Sequence, residues 1–210
     1  MSEIANPGRE RILARVNKAL EKPRPKLDPL PEVSAFAPVG NLLERFQSEC
    51  KGNLTHCFVA AEAASSLREV LHSLPAGHVF AEDVPHFRQL LQNCEREIRW
   101  SSDGPPAESA VATITRCESL MARTGSVLVS SSCGGRSASV TAPVHIVIAH
   151  EHQLVEDVEA ALIQADEKKL AETNSFLGVI TGCSRTGDIE KILVIGAHGP
   201  TRLVVIVERG

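Results

Sequence analysis

The sequence contains no tyrosine, and aromatic residues make up only 3% of its 210 positions. Because bases stack on aromatic side chains, a binding surface for single-stranded nucleic acid is not expected. The chain also lacks any apolar run near the ~20 residues that a membrane-spanning helix needs. Its first residues contain no continuous apolar segment of the secretory type. We therefore expect a cytoplasmic protein.

Closely spaced cysteines are also missing. Six cysteines are present, but none forms a C-x-x-C pair, so neither a zinc ribbon nor an iron–sulfur cluster is indicated. His150 and His152 flank Glu151 but have no third ligand at a recognised spacing, and we predict no metal site. Cys133 as a nucleophile would need an activating base that the sequence does not reveal. We expect free thiols in a reducing cytosol.

The charge is uneven along the chain. The net charge is −4, but seven basic residues stand against two acidic ones between Arg9 and Lys26, a local balance of +5 that leaves −9 elsewhere. Apolar residues in this segment share one side of a helix: Ile12, Leu13, Val16 and Leu20. We favour packing of this basic helix on an acidic domain or partner over contact with a membrane or nucleic acid.

Five prolines between Lys22 and Gly40 predict an extended connector, because proline fixes φ and removes an amide donor. The sequence therefore predicts two parts. Residues 1–40 form a basic helix with its proline-rich connector, and residues 41–210 form the main domain.

The main domain alternates short apolar strands with helical segments, which is typical of βαβ units around a parallel sheet. "VHIVIAH" and "RLVVIVE" are β-branched runs expected of strands covered on both faces. We also predict a short helix over 116–122 that carries Glu118 on its surface. A longer helix between 154 and 171 should bury Val155, Val158, Leu162 and Ala165. The predicted fold class is α/β, with layers in which helices flank a mostly parallel sheet.

The segment from Gly182 to Asp188 has the glycine spacing of a phosphate loop, but Asp188 stands where lysine should follow. A carboxylate there would repel a phosphate, so an NTP-binding loop is rejected. Backbone amides with Ser184, Arg185 and Thr186 could bind a carboxylate or phosphate instead, with Asp188 capping a helix over "DIEKIL". The alternative, given equal weight, is that the small residues bind no ligand and simply form a tight turn in which Arg185 pairs with an acidic neighbour.

Two further glycine-rich turns could contribute to binding. Gly135 and Arg136 follow a predicted strand, where glycine permits close approach of a ligand and arginine can bind an anion. His198 could act as an acid–base group or merely fasten its loop. We expect these turns to gather at the carboxyl ends of the later strands as one anion pocket. With Thr124 and Gly125, the predicted ligand-binding set is Thr124, Gly125, Gly135, Arg136, Ser184, Arg185, Thr186, Asp188 and His198. No catalytic residue is predicted.

Several long motifs support a family resemblance. "TRCESLMARTGSVLVSS", "GGR", "APVHIVIAHEHQLVEDVEAAL" and "ITGCSRTGDIEKILVIGAHGPTRLVVIVE" resemble the lactate utilization protein C family over roughly Ala110 to Glu208. Its domain is called LUD, and its fold is similar to that of ribose-5-phosphate isomerase and CoA-transferases. This chain departs from the family pattern at Arg123, Cys183 and Gly187.

The resemblance implies a non-iron–sulfur, accessory component of a three-part system that oxidises L-lactate to pyruvate. It also implies that the iron–sulfur clusters belong to partner subunits, so we expect no cofactor in this chain. The alternative is a stand-alone enzyme or sensor that acts on a phosphorylated, CoA-linked or carboxylate ligand. The sequence does not indicate the oligomeric state.

Overall fold

The two longest β-branched runs form the centre of the protein. The computed structural model of the chain describes residues 7–21, 36–106, 109–187, 193–195 and 199–209. In it, Val144–His150 and Arg202–Glu208 lie side by side as parallel strands. Nearly every residue of both strands is buried, as expected for strands that are covered on both faces.

The described residues form six α-helices and twelve β-strands. The helices are α1 (Pro7–Leu20), α2 (Leu42–Gly52), α3 (Ala64–His72), α4 (Pro85–Leu91), α5 (Val158–Glu167) and α6 (Leu170–Thr173). The strands are β1 (His56–Ala60), β2 (Val79–Ala81), β3 (Ile98–Trp100), β4 (Ala112–Thr115), β5 (Ser119–Met121), β6 (Ser126–Ser130), β7 (Val144–His150), β8 (Leu154–Val155), β9 (Leu177–Ile180), β10 (Arg185–Gly187), β11 (Leu193–Ile195) and β12 (Arg202–Glu208).

Local sequence explains where several helices begin. The side chain of Asn41 accepts a hydrogen bond from the backbone N–H of Glu44 (3.1 Å) and caps α2. Asp157 caps α5 in the same way, through the N–H of Ala160 (3.0 Å). Helix α4 begins at Pro85, a position where the helix needs no amide donor.

Six strands form the main sheet, in the order β1-β12-β7-β4-β2-β3, and every neighbouring pair is parallel. The predicted α/β class with a mostly parallel sheet flanked by helices is therefore confirmed. Because the strands are parallel, their carboxyl ends meet at one edge of the sheet, here called the carboxyl edge. Their amino ends meet at the opposite edge, the amino edge.

A second, four-stranded sheet has the order β8-β5-β6-β9 and contains both antiparallel and parallel pairs. Strand β6 runs from the amino edge towards the carboxyl edge. The Asn53 side chain, ahead of β1, donates to the Thr124 carbonyl just before β6 (2.7 Å), whereas a Cβ on Gly134, after β6, would lie 3.4 Å from Thr115 at the end of β4. Strands β10 and β11 form a separate antiparallel pair.

The core has layers on both faces of the main sheet. Helices α3 and α4 cover one face, with Leu67 and Phe87 fully buried among the strand side chains. Helix α2 and the second sheet cover the other face, where Phe46 is fully buried. Full burial of one such side chain stabilises the fold by about 1.5–3 kcal/mol. Helix α5 packs on the outer face of the second sheet through Ala161 and Ala165.

Two local predictions are wrong. The short helix predicted over 116–122 is replaced by strand β5, which pairs with β6, and Glu118 precedes that strand instead of lying on a helix surface. The predicted apolar face of α5 is only partly buried, because Val158 and Leu162 are exposed while Ala161 and Ala165 contact the sheet. Small side chains let this helix approach the sheet closely.

The chain divides into two compact units, residues 1–37 and 38–210. The first contains α1, and the second contains the twelve described strands. Among the described helices, none combines the length and apolar character needed to cross a membrane.

Candidate functional site

An open cavity among the described residues lies at the carboxyl edge, where a loop of small residues follows strand β6. This loop, residues 131–137, is here called the Ser131 loop. Gly134 and Gly135 adopt positive φ values of 78° and 98°, which glycine accommodates best. A Cβ on Gly134 would lie 3.4 Å from the side chain of Thr115, so the loop rests directly on the end of β4.

The Ser131 loop forms one wall of an open cavity of about 550 Å³, here called the Ser131 cleft. Its lining includes the hydroxyl-bearing residues Ser101, Ser131, Ser132 and Ser137. Arg136 is the cationic residue of the lining and is exposed. Within the described part of the chain, no carboxylate forms an ion pair with Arg136. The cleft therefore offers a guanidinium and several hydroxyls, which suit an anion.

Asn174 holds the Ser131 loop from the side. Its Oδ1 accepts hydrogen bonds from the Ser131 hydroxyl (3.0 Å), the Ser132 N–H (2.9 Å) and the Ser132 hydroxyl (2.7 Å). One amide oxygen thus fixes two consecutive serines that line the cleft.

Glu118 holds the loop from below. Its Oε1 accepts hydrogen bonds from the Ser130 hydroxyl (2.6 Å) and from the Cys133 thiol (3.6 Å). Burial raises the pKa of Cys133 to about 11. Cys133 is therefore a protonated structural thiol at neutral pH and not an activated nucleophile.

A partly exposed ion pair lies beside this group, since the Glu82 carboxylate is buried but the Arg116 side chain is 52% exposed. Glu82 follows strand β2 and is almost fully buried, and its carboxylate accepts hydrogen bonds from the guanidinium of Arg116 at 2.9 and 2.6 Å. It also accepts the backbone N–H of Arg116 (2.8 Å). The hydrogen bonds to Glu82 raise the pKa of Arg116. Since a Cβ on Gly134 would lie 3.5 Å from the Cβ of Glu82, this pair forms the base of the Ser131 loop.

His145 lies in the sheet beneath these residues. It is fully buried, and its Nε2 lies 2.9 Å from the Thr115 hydroxyl, while its Nδ1 has no hydrogen-bond partner among the described residues. Burial lowers the pKa of His145 to about 4, because a charged imidazole would lose its hydration there. This histidine is neutral at physiological pH.

A second polar group occupies the ends of β7 and β12. The carboxylate of Glu208 is nearly buried and accepts hydrogen bonds from the N–H of Ala63 (2.8 Å) and from Nε2 of His86 (3.0 Å). Nδ1 of His150 lies 3.5 Å from the same carboxylate, and the His150 ring stacks on His152. A carboxylate that orients an imidazole is a common arrangement for proton transfer.

The predicted ligand-binding residues do not gather in one pocket. Gly135 and Arg136 line the Ser131 cleft at the carboxyl edge. Ser184 lies at the amino edge, since its N–H donates to the carbonyl of Pro200 (2.8 Å), just before β12 begins. Strand β12 has seven residues, so the two edges are roughly 20 Å apart. The expectation of a single pocket at the carboxyl edge is therefore corrected to two separate places.

Thr124 and Gly125 also belong to the amino side of the fold. The carbonyl of Thr124 accepts a hydrogen bond from the Asn53 side chain (2.7 Å), just ahead of β1. A Cβ on Gly125 would lie 2.9 Å from the backbone of α2, and one on Gly182 would lie 2.3 Å from the Asn53 carbonyl. These glycines pack against backbone and leave no room for a ligand at their Cα positions.

Arg185 and Thr186 belong to strand β10, which pairs with β11. Asp188 and His198, and most of the predicted helix over "DIEKIL", lie outside the described residues. Sequence reasoning missed four polar residues of the carboxyl edge: Glu82, His86, Arg116 and Glu208. Three of them follow or end an apolar strand, and that position was a usable signal, because parallel strands place such side chains along one edge.

No group of three or more possible metal ligands occurs among the residues that the structure describes.

Comparisons of the sequence and of the fold with known proteins agree on the family of this chain. The LUD domain family model matches residues 105–207. Lactate utilization protein C from Geobacillus sp. (strain WCH70) is 31% identical over 186 residues, which cover 79% of this chain and 77% of the relative.

A second relative, lactate utilization protein C from Deinococcus radiodurans, is 28% identical, with 93% of each chain covered. The fold resembles the crystal structure of a DUF162 family protein from Deinococcus radiodurans, with a TM-score of 0.63 and 22% identity. That match covers 80% of this chain and 96% of the other. The chain therefore belongs to the lactate utilization protein C family and carries a LUD domain.

Proposed function

We propose that this protein is an accessory component of a lactate-oxidising system and that it binds a small carboxylate anion in the Ser131 cleft. The observation that carries this proposal is the exposed guanidinium of Arg136 among serine hydroxyls in an open cavity at the carboxyl edge. The two relatives described above are named lactate utilization protein C, and this name supports a role in lactate utilization.

The chemistry of the cleft fits a carboxylate better than a neutral ligand. A guanidinium binds a carboxylate through two parallel hydrogen bonds, and the hydroxyls of Ser101 and Ser137, which do not donate to Asn174, can donate to the same oxygens. L-lactate and pyruvate each carry one carboxylate and a neighbouring oxygen that a serine can contact. In this proposal the protein acts in the cytoplasm, holds no redox cofactor of its own, and works with iron–sulfur partner subunits.

Calorimetric titration of the full chain tests the proposal. L-lactate, pyruvate, inorganic phosphate, ribose 5-phosphate and coenzyme A should be compared at equal ionic strength. We expect saturable binding of a carboxylate, weakened at least roughly tenfold by Arg136→Gln because a charged hydrogen bond is lost. Arg68→Gln removes another exposed arginine, on α3, and should leave binding unchanged.

Two results would contradict the proposal. Either no member of the panel binds the folded protein, or binding is equally strong in the Arg136→Gln variant. The partner claim is tested separately, by co-purification with an iron–sulfur lactate-utilization subunit and by growth on lactate after deletion of the gene. Unimpaired growth would count against a role in lactate oxidation.

The Glu208 group favours a second candidate function, a stand-alone enzyme or sensor. A buried carboxylate holds two partly exposed imidazoles at the carboxyl edge, where proton transfer to a carboxylate, phosphorylated or CoA-linked ligand could occur. Incubation of the ligand panel in D₂O, followed by NMR, would reveal catalysed proton exchange or turnover. The enzyme reading requires that Glu208→Gln abolish any such exchange, and an absence of exchange in the wild-type protein would refute it.

A further inference from the structure

Two cysteines face each other where helix α2 packs on strand β1. Cys50 is fully buried in α2, one turn after Phe46, and it belongs to the helix face that packs on the main sheet. Cys57 lies in β1, and its side chain points to the same face of the strand as Val59, which α2 and the second sheet cover. The two thiols therefore meet between the helix and the strand.

The backbone around Cys50 is held from two sides. The N–H of Thr55 donates to the carbonyl of Cys50 (2.8 Å), so the chain turns back directly after the helix and leads into β1. On the other side, a Cβ on Gly125 would lie 2.9 Å from the backbone nitrogen of Cys50. This packing fixes Cys50 beside the strand that carries Cys57.

The two thiols differ in reactivity. The Cys50 thiol donates a hydrogen bond to the sulfur of Cys57, and this bond, together with burial, raises the pKa of Cys50. The same hydrogen bond lowers the pKa of Cys57, because it stabilises the thiolate. Cys57 is also partly exposed, and β1 is the end strand of the main sheet. Since the thiolate is the reactive form, an oxidant should react first with Cys57, and Cys50 is placed to attack the product.

We propose that Cys57 and Cys50 are a modification site, at which hydrogen peroxide forms a reversible disulfide. The Cys57 thiolate attacks one oxygen of the peroxide, the O–O bond breaks, and Cys57 becomes a sulfenic acid as hydroxide leaves. The hydroxide takes up the proton that Cys57 lost on ionisation and becomes water. The sulfur of Cys50 then attacks the sulfur of Cys57, and the sulfenic hydroxyl leaves with the Cys50 proton as a second water. Both sulfurs are oxidised, the peroxide is reduced, and a thiol reductant reverses the step by exchange.

Peptide mapping of the full chain tests the proposal. The reduced protein is treated with hydrogen peroxide near neutral pH, free thiols are blocked with iodoacetamide, and the chain is digested with trypsin without reductant. Cleavage after Lys51 separates the two cysteines, so the disulfide joins the peptide of residues 46–51 to that of residues 52–68. We expect this cross-linked pair by mass spectrometry, lighter than the two separate peptides by two hydrogens, and we expect dithiothreitol to remove it.

Serine variants separate the roles of the two cysteines. In Cys50→Ser, Cys57 should accumulate as a sulfenic acid that dimedone labels, because no thiol is left to attack it. In Cys57→Ser, Cys50 should stay unlabelled, since it is buried and protonated. Cys94 is the control, because it is also partly exposed but packs against the core on the other face of the sheet. Its oxidation should be several-fold slower than that of Cys57, and Cys94→Ser should leave the cross-link unchanged.

Three outcomes would overturn the proposal. The first is a folded wild-type protein in which Cys50 and Cys57 stay reduced after peroxide treatment. The second is a disulfide between any other pair of the six cysteines in place of this one. The third is dimedone labelling of Cys50 in Cys57→Ser at the rate of Cys57 in Cys50→Ser, which would show that the two thiols do not have different roles. The mapping of the wild-type chain decides the first two outcomes without any substitution.

Discussion

Two glycine-rich turns of this protein look alike in sequence but differ in structure. The Ser131 loop at the carboxyl edge and the turn around Gly182 at the amino edge both combine glycine with small hydroxyl residues and one arginine. At the carboxyl edge, a Cβ on Gly135 would meet no atom within 4 Å. At the amino edge, a Cβ on Gly182 would lie 2.3 Å from a backbone carbonyl.

The difference teaches what glycine does in each place. At Gly182 the absent side chain lets two backbone segments pack together, and the space is already filled by protein. At Gly135 the absent side chain leaves open space beside Arg136 and the serines, and that space can be filled by a ligand. A glycine-rich turn becomes a candidate site only when its packing leaves it open.

Substitution of these glycines should show the largest effect. Gly182→Ala combines a positive φ of 75° with a clash against the Asn53 carbonyl, so we expect a loss of about 3–4 kcal/mol in unfolding free energy. Gly135→Ala suffers the backbone strain alone and should lose about 1 kcal/mol. Urea unfolding of both variants gives the comparison, and equal losses would show that the amino-edge turn is not the tighter one.

His145, which lies beneath the Ser131 loop, should make the free energy of unfolding depend on pH. His145 has an ordinary pKa of 6.5 in the unfolded chain, and burial lowers it to about 4 in the folded protein. Between pH 4 and pH 6.5 the unfolded chain binds a proton that the folded chain does not. The free energy of unfolding therefore carries no penalty from this group above pH 6.5 and decreases as the pH falls from 6.5 towards 4. The expected loss from this group between pH 7 and pH 5 is about 2 kcal/mol.

His145→Gln should remove that part of the pH dependence, whereas His72→Gln, which changes an exposed histidine on α3, should retain it. The measurement is urea unfolding of the three proteins at several pH values. Parallel pH profiles for the wild-type and His145→Gln proteins would show that His145 titrates normally in the folded state.

The sequence was sufficient for the fold class because long apolar runs such as Val144–His150 have few alternatives to a buried strand. It was not sufficient for Glu118, whose segment has helical spacing but pairs with β6. Local pattern cannot reveal that pairing, since tertiary contacts override intrinsic preference in short segments. The same limit explains why Ser184 and Arg136 were predicted to lie in one pocket. Their segments share a local composition, but the two residues lie at opposite edges.

Two asparagine side chains, Asn174 at the carboxyl edge and Asn53 at the amino edge, should differ in their effect on binding. Asn174→Ala removes the acceptor of three hydrogen bonds in the Ser131 loop and should cost about 1 kcal/mol of stability. It should also weaken carboxylate binding, because two lining serines lose their fixed position. Asn53→Ala removes the hydrogen bond to Thr124 and should cost a similar stability without any change in binding. Equal losses of binding in Asn174→Ala and Asn53→Ala would show that the two edges do not differ in ligand binding.

Thiol labelling provides the finest distinction, because each turn contains one buried cysteine, Cys133 or Cys183. With a pKa of about 11, Cys133 is only about 0.1% thiolate at pH 8, so iodoacetamide should label it slowly. Asn174→Ala should accelerate labelling of Cys133 several-fold by loosening the Ser131 loop, as mass spectrometry of tryptic peptides would show. Labelling of Cys183 should keep its wild-type rate in that variant, because the amino-edge turn is held by other contacts. Equal acceleration at both cysteines would mean that the two turns open together in one cooperative unit, and the carboxyl-edge loop would then have no independent motion with which to admit a ligand.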